Sequence, residues 1–446
     1  GFFGLPIDHD PFASDIRESR LPVLLSPSLK TKTTDNDTQA DHDSRYYTRA
    51  VRAWGRFKLA AVSSFAFVEA AGGLYLGKLI DQQFLKRQKR STSNPKPDFA
   101  EELSKEDKAS LAKTILTAMS LTSGFRDLVV LCGHGASVVN NPHESALQCG
   151  ACGGYAGDVS VRLLAGLLND PETRSGLNEV GIEIPETTWF IGGLHDTTTD
   201  EITLYDEDLG TEISSEKVAR LKDVLQRSSL ANRQGRLLRL PGARTPADVI
   251  TRGLDWAQTR PEWGLAGCKS FIAAPRARTA GRDLKGEAFL HSYDWKQDPD
   301  FNVLELIMTA PVVVASWISL QYFASTVAPD IYGGGNKLLH NIVGGIGVLE
   351  GNGGPMRTGL PIQSVHDGEA FSHLPARLSV IIEAPIEAIN GVLERHEAIR
   401  DLFDNDWLHL FQMDDAGHLA SQYAGGLQWN SLAVATRNVA EAELVA

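Results

Sequence analysis

The sequence predicts an α/β protein whose mostly parallel sheet is flanked by helices, with additional helical and α+β segments. Three observations carry that reading. Short apolar runs at residues 127–131 (DLVVL) and 187–191 (TTWFI) have the composition of strands buried on both faces. Helical periodicity stands beside them, as in Leu111, Ala112, Ile115, Leu116 and Met119. Glycine-rich turns follow each run, around His134 and at Gly192-Gly193. Alternation of this kind implies a parallel sheet with helices packed on it.

Taken in order, residues 26–43 (SPSLKTKTTDNDTQADHD) are polar and expected as an exposed loop. Beyond Tyr46, the residues Trp54, Phe57, Ala61, Phe65 and Val68 recur at three- and four-residue steps, the apolar face of a helix. Residues 86–98 form a second polar link, opening on a basic run (KRQKR, 86–90) that reads as a solvated loop. Ser104 and Asp107 resemble a capping box for the next helix, with Gly124 as its stop. Residues 159–168 form a further helix. Residues 378–382 form a strand, and Pro385 opens a helix whose Ile386, Ile389, Val392 and Leu393 share a face. Residues 306–328 (LIMTAPVVVASWISLQYFASTVA) carry no charge, but Pro311 interrupts a helix there. A buried core segment is the first reading, and a surface that docks on a membrane partner is the alternative. Three regions result: 1–100, helical with polar linkers; 101–275, an α/β unit; and 276–446, α+β with the apolar segment 306–328. There are no internal repeats.

Composition narrows the function. The 446 residues carry 43 basic and 56 acidic side chains, a formal net charge of −13. Nucleic acid is excluded as a partner, because backbone phosphates call for a positive surface. Four cysteines, Cys132, Cys149, Cys152 and Cys268, make no disulfide framework in a chain of this length. The chain opens on Gly1 with no signal peptide, and is expected to be a fragment or a processed piece.

The chemistry concentrates in residues 128–154, LVVLCGHGASVVNNPHESALQCGACGG. A buried strand runs into Cys132-Gly133-His134-Gly135, where glycines on both sides let the backbone turn and expose the imidazole. The carboxyl ends of parallel strands are where open α/β sheets place their sites. Cys149 follows in a second glycine-rich loop. His134 and Cys149 are therefore the expected metal ligands, and zinc suits them, because it accepts imidazole and thiolate together. The site would be built from separate strand ends, since the spacing is not that of a zinc finger. Cys132 reads as a small buried hydrophobe. Cys149 and Cys152 also form a CxxC, which leaves a redox pair open, although no thioredoxin-like unit accompanies it. His143 follows Asn140-Asn141-Pro142 and reads as a turn residue. Residues 192–200 (GGLHDTTTD) form a second constellation, after the second strand. His195 and Asp196 there would supply a ligand, a proton shuttle or hydrogen bonds behind the ligands, or the loop is simply held by its own threonines.

These motifs resemble the DabA family, the peripheral subunit of bacterial inorganic carbon pumps, over nearly the whole chain. The resemblance rests on GHG…NNP…SAL and CGACGG, and on His195-Asp196-Thr197-Thr198-Thr199-Asp200. It continues through Arg260-Pro261-Glu262-Trp263-Gly264, Phe289-Leu290-His291-Ser292-Tyr293-Asp294, Gln321-Tyr322-Phe323-Ala324-Ser325, Gly351-Asn352-Gly353-Gly354 and Gly359-Leu360-Pro361. It implies a β-carbonic-anhydrase-like core with zinc held by a Cys-x-Asp pair, a His and a Cys. The last two fall on His134 and Cys149. It also implies CO2 hydration to bicarbonate coupled to proton flow through a membrane-embedded, DabB-like partner related to antiporter and complex I subunits. The expected location is the cytoplasmic side of the inner membrane, as a peripheral protein. The chain departs from the family in having no Cys-x-Asp-x-Arg, so two expected ligands and their arginine are not in it. Smaller departures are Cys268 and Ser160, each where the family has Asn. A non-catalytic zinc scaffold and a stand-alone hydratase stay as alternatives.

Overall fold

Alternating lysine and threonine, rather than aliphatic residues, organise the first sheet. The computed structural model describes residues 4–22, 25–35, 38–59, 69, 72–73, 94–137, 141–210, 213–238, 240, 242–254, 265–343 and 347–432. β1 (Ile7–Asp10) pairs antiparallel with β2 (Glu18–Arg20) and parallel with β3 (Leu29–Thr33), and β4 (Pro97–Phe99) pairs with β3. Residues 26–43, expected as a loop, thus hold β3 and the start of helix α1 (Thr38–Leu59). The reason is long-range. Thr31 and Thr33 face inward, where their hydroxyls lie 2.9 and 3.2 Å from the two ring nitrogens of His9. Buried polar groups of this kind are tolerated when paired. Trp54, expected on a buried face, is 48% exposed. The side chains of Phe57, Ala61, Phe65 and Val68, and the basic run 86–90, lie outside what is described.

The second unit follows the sequence pattern closely. Helix α2 (Lys105–Ala118) opens on Ser104, whose Oγ accepts from the Asp107 N–H at 3.1 Å and donates to the Asp107 carboxylate at 2.8 Å. It buries Ala112, Ile115 and Leu116, and ends well before Gly124. β5 (Leu128–Gly135) runs on past residue 131 to include His134. α3 (Asp158–Asn169) and α4 (Pro171–Glu179) lead to β6 (Trp189–Asp196). β5 and β6 are parallel from Leu128↔Trp189 to Gly135↔Asp196, and β7 (Ile202–Leu204) adds antiparallel to β6. The second strand therefore does not stop at Gly192-Gly193. Its pairing with β5 carries it through to Asp196. Leu116, Leu164, Leu168, Leu177 and Phe190 form the core between sheet and helices.

Helices α5 (Ser215–Leu237) and α6 (Pro246–Leu254) precede a six-stranded sheet. Its strands are β8 (Ser270–Ala274), β9 (Ala288–Ser292), β12 (Ser379–Glu383), β13 (His409–Met413), β14 (Leu419–Tyr423) and β15 (Trp429–Ser431). Their order is β15-β14-β13-β12-β8-β9. Its β9, β8, β12 and β13 are parallel, whereas β14 and β15 are antiparallel. Pro385 precedes α10 (Ile386–Arg395), which buries Ile389, Val392 and Leu393 against this sheet; α11 (Glu397–Asp404) follows. His291 on β9 reaches the carbonyl of Ala118 at 3.0 Å and ties the larger sheet to α2.

Pro311 divides residues 306–328 as expected. α7 (Asn302–Thr309) ends at Ala310, which has φ −124° and ψ −70°, and α8 (Pro311–Val327) begins on the proline. Proline at the first helical position loses no hydrogen bond, while its ring bars helical geometry from the residue before it. Among the described residues this is the one stretch with the length and apolarity of a membrane span, and about half of it is buried in the protein. Short helix α9 (Pro329–Tyr332) follows, then the hairpin of β10 (His340–Val343) and β11 (Gly347–Glu350).

Two outcomes test this packing. The Arg162 side chain is 3% exposed and bidentate on Asp208, at 2.7 Å for both contacts, with Tyr205 stacked at 4.5 Å. Asp208→Ala strands that charge and should cost about 3 kcal/mol in urea unfolding. Burial pushes His9, His291 and His373 down from 6.5 to about 4. The unfolded chain then binds more protons than the folded one below about pH 6.5. Stability should therefore fall as pH drops toward 4, by up to roughly 1.4 kcal/mol per pH unit for each histidine. Urea titrations across this range should show it, and His9→Gln should flatten the slope.

Candidate metal centre

His134 lies within β5, not on a turn beyond it. The glycine before it is needed for close approach rather than for bending. A Cβ on Gly133 would stand 2.6 Å from the carbonyl oxygen of Gly157. The Gly157 N–H donates to the His134 carbonyl at 2.9 Å, so the loop before α3 crosses the strand backbone to backbone. Cys149 comes from the segment after β5 rather than from a second strand end. It pairs with Tyr155 across a tight loop, its N–H donating to the Tyr155 carbonyl at 3.1 Å. Gly153 closes that loop at φ +66°, and a Cβ there would stand 2.7 Å from the carbonyl oxygen of Ser19 on β2.

These pieces are stapled together by a residue the sequence reading passed over. The Gln148 amide accepts from the Ala136 N–H at 3.0 Å and donates to the Ala136 carbonyl at 2.8 Å. It ties the end of β5 to the residue beside Cys149, and no hydrophobic periodicity marks it. Arg20 on β2 does the same from the other side. Its guanidinium donates to the Ala156 carbonyl at 3.1 Å and the Asp158 carboxylate at 2.9 Å, and lies over the Tyr155 ring.

The outcome is a cleft of about 240 Å³ that His134 and Cys149 both line. The His134 Nε2 is buried and has no hydrogen-bond partner. Such an atom costs stability unless something accepts or binds it. The Cys149 thiol is pushed down, first by a hydrogen bond from the Cys152 thiol, and further by the nearby His134 imidazole and the N–H groups of Cys152 and Ala151. An orphaned imidazole nitrogen and a thiol disposed toward thiolate fit zinc in donor type. They supply two positions. Among the described residues no cluster of three His, Cys, Asp or Glu is placed to hold a metal.

Much of the rest of the lining is apolar. Pro311, Val314, Ala315 and Ile318 come from α8, and Phe271 and Phe289 from β8 and β9. No local pattern places α8 at the site, because its approach depends on tertiary packing. Cys132, expected as a buried hydrophobe, is exposed and also lines the cleft, since it shares the strand face of His134 two positions away. Cys152 is buried beside Cys149. Cys268 is buried elsewhere, its thiol near the Gly286 carbonyl.

His143 is a turn residue, with its N–H held by the Asn141 side chain at 2.9 Å and its ring against His340. The second constellation supports the strand and does not line the cleft. His195 pairs in register with His134, and its Nε2 lies 3.1 Å from Asp200. Thr197 donates through both N–H and Oγ to the Gly135 carbonyl, at 2.9 and 3.1 Å. Asp196 caps Thr198, and Arg233 and Arg236 of α5 bind the carbonyls of Thr199 and Thr197. The loop thus anchors the end of β5.

A family model described as "Probable inorganic carbon transporter subunit DabA" matches residues 1–408. A protein of that name from Roseobacter denitrificans is 56% identical over 446 residues, covering 100% of this chain and 56% of the relative. One from Rhodospirillum centenum is 58% identical over 434 residues, covering 97% of this chain and 54% of the relative. One from a Methylobacterium species is 59% identical over 434 residues, covering 97% and 53%. The chain spans about half the length of the curated relatives it matches. No solved structure matches it.

Gln148→Ala should leave the fold intact and loosen the site. Zinc affinity, read by competition with a chromophoric chelator, is expected to fall by about tenfold or more, with an unchanged circular dichroism spectrum.

Proposed function

Because the chain belongs to the DabA family of inorganic carbon transporter subunits, we propose that it carries half of a zinc site for hydrating CO2 to bicarbonate. In this reading it is part of a peripheral subunit on the cytoplasmic side of the inner membrane, and a DabB-like membrane partner couples proton flow to the reaction. One observation supports this above the others. His134, whose Nε2 is buried without a hydrogen-bond partner, and Cys149 line a single cleft whose far wall is apolar and carries no lysine or arginine.

Such a wall suits a small neutral molecule better than an anion, which favours CO2 as the species that enters. Zinc, when bound, supplies Lewis acidity that lowers the pKa of a bound water toward about 7. The chain's own residues do the rest. His134 offers an imidazole nitrogen and Cys149 a sulfur, while Gln148 and the Gly133–Gly157 contact hold the two loops in register. Pro311, Val314 and Ile318 give the cleft an apolar wall. Catalytic zinc usually has three protein ligands and one open position. The family resemblance assigns the missing ones to a Cys-x-Asp pair in the remainder of the family's length. We read the β5–α3–β6 unit as the β-carbonic-anhydrase-like core.

The test is zinc binding and CO2 hydration, followed by isotope exchange. The 446-residue chain alone should bind zinc weakly and be inactive. A protein of the relatives' full length should bind tightly, and both His134→Ala and Cys149→Ser in it should lower affinity about a hundredfold or more. Equal zinc content in the short and long proteins, or retention by both variants, overturns the proposal.

A further inference from the structure

The apolar segment 306–328, read first as buried core and alternatively as a docking surface, is largely spent on the interior. α8 buries Val312, Val313, Val314 and Ala315, and its cleft face is occupied as described. The exposed apolar surface begins where α8 ends. Ile331 is 70% exposed, Leu338 59% and Ile342 62%, and Tyr332, Leu339 and Met356 are also exposed.

These residues belong to one structural piece. The Gly334 N–H donates to the Leu360 carbonyl, Gly351 to Leu339, and Arg357 to both Val348 and Asp330. Among the described residues the β10–β11 hairpin at its centre joins no larger sheet. Asn341, Ile342 and Val343 are exposed in succession, so both faces of β10 are open. A lone two-stranded hairpin is marginal in water, and an apolar edge strand without charges is a template for association. Apolar patches of this extent mark interaction sites.

Charge decides what kind of partner fits. Residues 327–362 hold two cations, Lys337 and Arg357, against Asp330 and Glu350. Lys337 is buried, and Arg357 is bound to Glu350 at 2.6 Å and to the Asp330 carbonyl. Anionic lipid headgroups call for accessible basic residues, which this face does not present, on a chain of net charge −13. An uncharged protein surface is the matching chemistry.

We propose that the face formed by α9, the β10–β11 hairpin and Met356 is the seat of an apolar, weakly charged surface of a membrane-embedded protein subunit. The proposal rests on the reading of the chain as a transporter subunit, but not on zinc or CO2 chemistry. α8 joins this face to the metal cleft, so the partner sits at one end of the helix that walls the other.

The experiment uses the full-length protein co-expressed with the membrane subunit of its own transporter, extracted in mild detergent. Ile331→Asp and Ile342→Asp, both exposed and away from the site, should lower co-purification at least tenfold while zinc content stays unchanged. A photoreactive residue at position 338 should crosslink to that subunit. Co-purification at the wild-type level in both variants overturns the proposal. Binding to protein-free vesicles of neutral and anionic phospholipid, abolished by Ile342→Asp, overturns it in favour of a lipid surface. Self-association in sedimentation, abolished by the same change, overturns it in favour of a second copy. Loss of zinc binding with docking intact would count against the metal-site reading alone.

Discussion

Everything at the cleft depends on two backbones touching with no side chain between them. Gly133 and Gly157 bring the strand that carries His134 against the loop that leads into α3, and the hydrogen bond from Gly157 to the His134 carbonyl fixes the register. Gln148 then carries that register to Cys149. A histidine and a cysteine on separate loops have many relative positions open to them. These contacts leave few.

The supports are layered outward from there. The 197–200 loop holds the far end of β5 through Gly135, and α5 holds that loop through Arg233 and Arg236. Arg20 brings in the first sheet, which is itself centred on His9 between two threonines. The larger sheet contributes through α8 and through His291 on Ala118. Three of the four sheets among the described residues thus meet the site or its frame, although none of them continues into another.

Much of this was legible in the sequence where chemistry and local pattern coincide. The capping of α2 by Ser104, the apolar stripe of the same helix, the strand leading into His134 and the break at Pro311 are all local effects. His134 and Cys149 stood out because imidazole and thiol flanked by glycine are rarely idle. What the sequence hid is set by distant neighbours. Residues 29–33 read as loop because their threonines are polar, and they become a strand only when His9 arrives to satisfy them. Gln148, Arg20 and the α8 wall act through backbone groups and packing, which leave no periodic trace. Cys132 misled for a simpler reason: its apolar neighbours suggested burial, while its strand face opens on the cleft.

Cys149 and Cys152 lie buried together on one tight turn, the Cys152 N–H donating to the Cys149 carbonyl at 3.0 Å. Two cysteines so close along the chain are open to a two-electron oxidation, by peroxide or a small disulfide, that would join them. Closing that bridge would take the sulfur of Cys149 away from any metal. The centre therefore keeps its donors only while its thiols stay reduced. Handling it in air without a reductant would erase the property one set out to measure.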